Sequence, residues 1–260
     1  MSAVMLLIFM NGSNIMAQSN TTTELTVFAA ASLTEAFQAI AKEFEITHHS
    51  TNVHFNFGGS QQLVQQIAHG APVDVLASAN AKQIDVAIKS GRIDSASVRI
   101  FARNHLVVIV PKDNPAHISS LVDISKTKAK IILADKSVPV GQYAIDVLDK
   151  CSKGLGFPST FKEDVLKNVV SYEENVKVVL SKIVLGEADA GIVYTSDISR
   201  DSTHRVQQIA IPDSLNVIAS YPIALSRDAA SSQTAKEFVD YVCSDKGQNI
   251  LRLFGFAEAK

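Results

Sequence analysis

Ser32 and Ser60 are the residues whose settings point most directly to chemistry. Each follows an apolar stretch and a small-residue turn, in Phe28-Ala29-Ala30-Ala31-Ser32 and in Phe57-Gly58-Gly59-Ser60, and each stands where a helix should begin. Glu35 lies three residues beyond Ser32, the spacing of a capping box. The first amides of a helix have no carbonyl to pair with, so a strand that runs into a helix start is a ready anion site. Two such starts facing each other across a cleft could hold an oxyanion with no lysine or arginine. Tyr194 ends the apolar run in Gly191-Ile192-Val193-Tyr194 and offers a phenolic donor. Taken singly, these residues have plainer readings. Ser32 and Ser60 are serviceable helix caps, Tyr194 is half-buried packing with a wet hydroxyl, and Asp74 and Asp197 suit turns or caps.

Other chemistries find less support. The chain has no Gly-x-Ser-x-Gly, no Gly-x-x-x-x-Gly-Lys and no Gly-x-Gly-x-x-Gly. An enzyme on a two-lobed α/β frame remains the alternative from another class, and it would need a nucleophile with its base. A regulatory effector domain lacks an appended DNA-binding helix pair. His48, His49 and His54 sit in a polar turn and a strand without a second cluster, so solvation suits them better than metal. Cys151 and Cys243 fall on apolar helical faces outside any redox or zinc spacing and read as buried, inert thiols.

The elements that would position these residues alternate strand and helix. Strands are expected at 25–30, 53–57, 73–77, 106–110, 130–134, 169–172, 190–194, 206–211 and 217–225. Helices are expected at 33–44, 61–68, 81–89, 141–150, 174–185, 232–243 and 246–253. This alternation predicts an α/β protein with mainly parallel sheets covered by helices on both faces. Ligands in such folds bind beyond the carboxyl ends of strands, where Ser32, Ser60, Ser78 and Tyr194 all lie. The strands outnumber those of one compact sheet. We expect two lobes: residues 24–103 completed by 213–260, and residues 104–212. Residues 102–104 and 212–214 are the expected crossovers.

Composition sets the class. The chain has 260 residues, 47% of them hydrophobic and 19% charged, enough for a sizeable core. A net charge of −2 argues against nucleic-acid binding by phosphate neutralisation, and the absence of Trp disfavours a sugar-stacking surface. Residues 1–17 carry no charged side chain and include an apolar run of signal-peptide length, too short to span a bilayer. We expect export, cleavage after Ala17 and a soluble mature protein. The lack of Lys or Arg before the apolar run is atypical for an export signal.

Taken in order, the motifs resemble the periplasmic molybdate-binding proteins of ABC-type importers. Val27-Phe28-Ala29-Ala30-Ala31-Ser32-Leu33, Val138-Pro139-Val140-Gly141-Gln142-Tyr143-Ala144, the Glu173-Glu174-Asn175-Val176 helix start, the Tyr194-Thr195-Ser196-Asp197 strand end and Phe254-Gly255-Phe256 stand in register over nearly the whole mature chain. The resemblance implies two doubly wound α/β lobes joined by a hinge, a type II periplasmic-binding-protein-like fold, with the anion between them. It implies that Ser32 and Ser60 donate through hydroxyl and amide, Ala144 and Val176 through backbone N–H, and Tyr194 through its phenol. It further implies molybdate or tungstate as ligand, molybdenum present only within that oxyanion, no cofactor, a membrane permease as partner and a monomer. Gly58-Gly59 stands where relatives often carry serine, which leaves that loop freer. Molybdate near neutral pH is a dianion with four acceptor oxygens and no proton, so donors alone suit it. No carboxylate lies inside the Ser32 or Ser60 turns, which favours a fully ionised oxyanion over a protonated phosphate; sulfate remains open.

Overall fold

The computed structural model describes residues 22–126, 128–198, 200–229 and 231–259. The expected export signal lies outside the described residues. The chain runs β1 (Thr23–Ala30), α1 (Thr34–Thr47), β2 (Thr51–Gly58), α2 (Ser60–Ala68), β3 (Val75–Ala77), α3 (Ala81–Lys89), β4 (Arg99–Asn104) and β5 (Leu106–Pro111). It continues through β6 (Ile131–Ala134), α4 (Pro139–Lys153), α5 (Phe161–Lys167), β7 (Val169–Glu173), α6 (Val176–Val184), β8 (Ala190–Tyr194) and α7 (Arg200–Thr203). It closes with β9 (Val206–Ala210), β10 (Ala219–Leu225), α8 (Ser232–Val242) and α9 (Asp245–Leu253).

Two five-stranded sheets result, in the orders β2-β1-β3-β10-β4 and β7-β6-β8-β5-β9. The expectation of mainly parallel sheets needs correction, because both are mixed. β1 pairs in parallel with β2 and β3, but β10 returns antiparallel between β3 and β4. Likewise β6 is parallel to β7 and β8, while β5 is antiparallel to β8 and β9. The cause is the route of the chain. It leaves the first sheet after β4, enters the second at once through β5, and comes back as β10.

Burial explains the helices. Ala36, Phe37, Ile40, Ala41 and Phe44 recur at helical spacing on α1 and are buried against the sheet. Phe37 lies 5.6 Å from Phe101 of β4 and 6.1 Å from Phe238 of α8, ring centre to ring centre. Residues from both ends of the first sheet's sequence thus share one aromatic core. In the second sheet, a Cβ on Gly191 would stand 2.9 Å from Val179 Cγ1, so glycine lets α6 pack close upon β8. Phe256 and Ala257 fold back past α9, and Ala257 exchanges backbone hydrogen bonds of 2.8 and 2.9 Å with Arg103 on the outer edge of β4.

Three elements escaped the sequence reading, the four-residue α7 among them. β4 includes residues 102–104, expected as a crossover; Arg99 and Arg103 obscure its alternation on an edge strand. α5 has seven residues, too few for a clear period. The shared aromatic core gives a first test. Phe37→Ala should destabilise the protein by about 3–5 kcal/mol in urea unfolding, the usual cost of emptying a buried phenylalanine site.

Candidate functional site

The carboxyl ends of strands from both sheets face one another, and helix starts ring the space between them. After β1 a 3-10 turn (Ala31–Leu33) precedes α1, so the amides of Ala31 and Ser32 have no acceptor within the turn. After β2, Ser60 is the first residue of α2; Gln62 and Leu63 donate back to Gly59, which leaves the amides of Ser60 and Gln61 outside the helical ladder. In the other half, Pro139 opens α4 and Gln142 donates to Val138, leaving the amides of Val140 and Gly141 outside that ladder. Asn175 caps α6 by accepting from Val178, so the amides of Val176 and Lys177 are likewise outside it. Residues from all four starts, with Ala79 and Tyr194, line one small cavity.

Side chains complete the donor set. Ser60 is 1% exposed, and its Oγ accepts the Ala79 amide at 3.1 Å, which leaves the hydroxyl proton to donate elsewhere. Ser32 is 3% exposed, with its Oγ 3.0 Å from the Tyr221 hydroxyl. If Tyr221 donates there, the Ser32 proton is free in the same way. Tyr194 is buried at 1% exposure, and its hydroxyl has no hydrogen-bond partner among the described residues. A buried phenol without a partner costs about 1–3 kcal/mol, so this one calls for an acceptor from outside the chain. Burial, reinforced by the neighbouring Tyr221, Tyr143 and Asp197, pushes the Tyr194 phenol well above its ordinary pKa and keeps it a donor.

The structure brings Ser32, Ser60, Val176 and Tyr194 together at this cavity and leaves Ala144 out. Ala144 is the sixth residue of α4, where an amide pairs within the helix and is not available to a ligand. Val140 occupies the corresponding place at the cavity wall. The signal was present in the sequence. Proline at the first helical position has no N–H, so the next residue supplies the first unpaired amide. The capping box expected of Ser32 and Glu35 is also absent: Ser32 makes no cap bond, because it lies inside the 3-10 turn, two residues before α1 begins. Tyr194 is fully buried, against its plainer reading as half-buried packing with a wet hydroxyl. Ser78 turns away to donate to the Asn80 carbonyl. Among the histidines, His54 pairs with Glu24 and His48 stacks on Phe44 at 3.9 Å. Cys151 is buried and Cys243 half-buried; both thiols are free, and burial raises both pKa values, Cys151 to about 11.

Among the described residues, no lysine, arginine or carboxylate lines the cavity. The two halves meet around it. Gln61 Nε2 donates to the Glu174 carbonyl at 3.0 Å, and Gln62 Nε2 to the Glu174 carboxylate at 2.9 Å. Gly59 is a point of close contact and not slack, since a Cβ there would lie 2.5 Å from the Glu174 carbonyl oxygen. Behind Tyr194, the fully buried Asp197 accepts the Tyr194 amide at 3.0 Å. Burial raises its pKa to about 6, against the opposing pull of Lys177 and the Tyr194 amide.

Two α/β halves that close on a cavity lined with donors define a two-lobed α/β binding protein. Sequence comparison agrees: the pattern of bacterial extracellular solute-binding proteins matches residues 25–257, and the chain belongs to that family. It is 34% identical over 234 residues to the molybdate-binding protein ModA of Mycobacterium tuberculosis (strain H37Rv), covering 90% of this chain and 84% of that one. Its fold is similar to that of the Azotobacter vinelandii periplasmic molybdate-binding protein, with TM-score 0.78 and 19% identity over 91% of this chain and 100% of that one. The sulfate-binding protein SubI of M. tuberculosis H37Rv shares the fold too, with TM-score 0.82 and 17% identity over 92% of this chain and 88% of that one.

The buried carboxyl of Asp197 gives a pH test. A folded-state pKa of about 6, above the unfolded value, means that the folded protein holds this proton more tightly. The stability it contributes is full below about pH 4 and is lost as pH rises through about 6. Relative to Asp197→Asn, the wild type should therefore lose on the order of 3 kcal/mol across that interval. Denaturant melts of both proteins between pH 4 and 7.5 would show the difference; parallel curves would contradict it.

Proposed function

We propose that this chain is a periplasmic receptor that captures molybdate between its two halves and delivers it to the membrane permease of an ABC importer. The observation that carries the reading is the buried, unpartnered Tyr194 hydroxyl at a cavity ringed by helix starts from both sheets. A tetrahedral dianion has acceptors on every side and nothing to donate. Two serine hydroxyls, a phenol and unpaired amides can all donate to it. The helix starts add partial positive charge without a fixed cation. The 34% identity to a molybdate-binding protein supports the choice of anion. Tungstate, nearly equal in size and charge, should be a comparable guest.

We read the two sheets as lobes: residues 24–103 with 213–260, and residues 104–212. The strand-to-strand passages at residue 105 and residues 211–218 would serve as the hinge. Closure would strip water from the anion and strengthen each charge-assisted hydrogen bond. The reading is of a carrier that works as a monomer and performs no reaction. Ser32 Oγ faces a tyrosine and Ser60 Oγ accepts an amide, so neither has the base that an activated nucleophile needs.

Titration calorimetry with molybdate, tungstate, sulfate and phosphate tests this directly. Molybdate and tungstate should bind tightly and the other two weakly; sulfate binding as tight as molybdate would transfer the assignment to sulfate. Ser60→Ala and Tyr194→Phe should each weaken molybdate binding by roughly ten- to a hundredfold, the worth of one hydrogen bond to a charged group. Tyr194→Phe should leave the anion-free protein at least as stable as the wild type, since it removes a buried hydroxyl that lacks a partner. Unchanged affinity in both variants would remove them from the site.

A further inference from the structure

Beyond the donor ring, the Lys177 ammonium bridges the two halves. Lys177 is the second residue of α6, next to Val176, and its ammonium lies 2.9 and 2.8 Å from the two carboxylate oxygens of Glu35 on α1. Glu35 follows β1 of the first sheet; Lys177 belongs to the second. The same ammonium stands 3.7 Å from Asp197 Oδ1, which is buried and has no hydrogen-bond partner among the described residues, while Oδ2 holds the Tyr194 amide. Lys177 is about one quarter exposed, so water screens it only in part.

We propose that Lys177 is a positioning residue for anion capture: its pairing with Glu35 holds the two halves together over the bound oxyanion, without contact between the ammonium and the anion. This inference rests on the reading of the cavity as an oxyanion site. Two carboxylates neutralise the ammonium, so it adds little attraction for the guest. Its bond to Glu35 exists only when the halves meet, so its whole energy counts toward closure. Apparent affinity scales with the closed fraction, and the lysine should therefore set how long an anion stays rather than which anion is chosen. Asp197 anchors the cation from the second half and ties it to the strand end that carries Tyr194.

Glu35→Gln separates this role from a purely structural one, because it breaks the bond between halves and leaves Lys177 beside Asp197. Calorimetry should show molybdate binding weakened about threefold to tenfold in Glu35→Gln and Lys177→Met, with the order of anion preference unchanged. The double variant should be no weaker than the worse single one. Lys177→Arg should recover most of the loss. In 1 M NaCl the gap between wild type and Glu35→Gln should shrink. Glu35→Gln affinity within twofold of wild type, or additive losses in the double variant, would overturn the proposal. Small-angle scattering of the anion-free proteins gives an arm independent of ligand. Glu35→Gln and Lys177→Met should be more open than wild type, and identical profiles would reject the latch. Should the wild type bind none of the four oxyanions, the functional reading fails, and the scattering still decides the latch.

Discussion

The site depends on amides that helices cannot use. At each of four helix starts the chain leaves backbone N–H groups without a carbonyl partner, and the fold aims all four at one small space. A single start is a weak anion site. Four of them, with two hydroxyls and a buried phenol, form a shell of donors. That composition suits a guest with no proton of its own. Caps that would have consumed these amides are absent at Ser32, and at Asn175 the cap takes the third amide and leaves the first. The helices are thus stopped in a way that keeps their outermost donors available.

This aim requires the chain to divide and return. β10 and α8, late in sequence, complete the sheet and the aromatic core begun by β1 and α1. The first half therefore cannot finish folding before the second has been made. Both passages between sheets are single backbone connections, while the contacts between the halves include polar side chains, the Lys177–Glu35 ion pair and the Tyr194–Tyr221 ring pair. Such an arrangement resists shear within each sheet and yields between them. Asp197 fits the same logic. Its buried carboxyl fixes the strand end that bears Tyr194 and faces Lys177, which reaches across to Glu35.

Much of this was legible in the sequence because strand–turn–helix junctions have strong local grammar. Ser32, Ser60 and Tyr194 stood out for their place at strand ends, and family resemblance pointed to Val176, which lines the same cavity although its side chain gave no such signal. Ala144 failed for a local reason. The motif was recognised, but the choice of residue within it did not weigh the missing N–H of Pro139, which shifts the first available amide to Val140. The mixed sheets were invisible because strand direction depends on long-range pairing, and nothing in the local pattern of β5 or β10 encodes it. β4 was hidden by its arginines. Tyr221 was unremarked because its function is second-hand: it meets Ser32 across 189 positions of sequence.

The return of the last residues along β4 has an effect on the company the protein keeps. An outermost strand is a template on which a neighbouring molecule can build. Here Ala257 occupies part of that template, and Gln248 adds a side-chain bond to the Phe101 carbonyl nearby. The molecule hems its own fabric, and a stranger's strand finds less raw edge to catch.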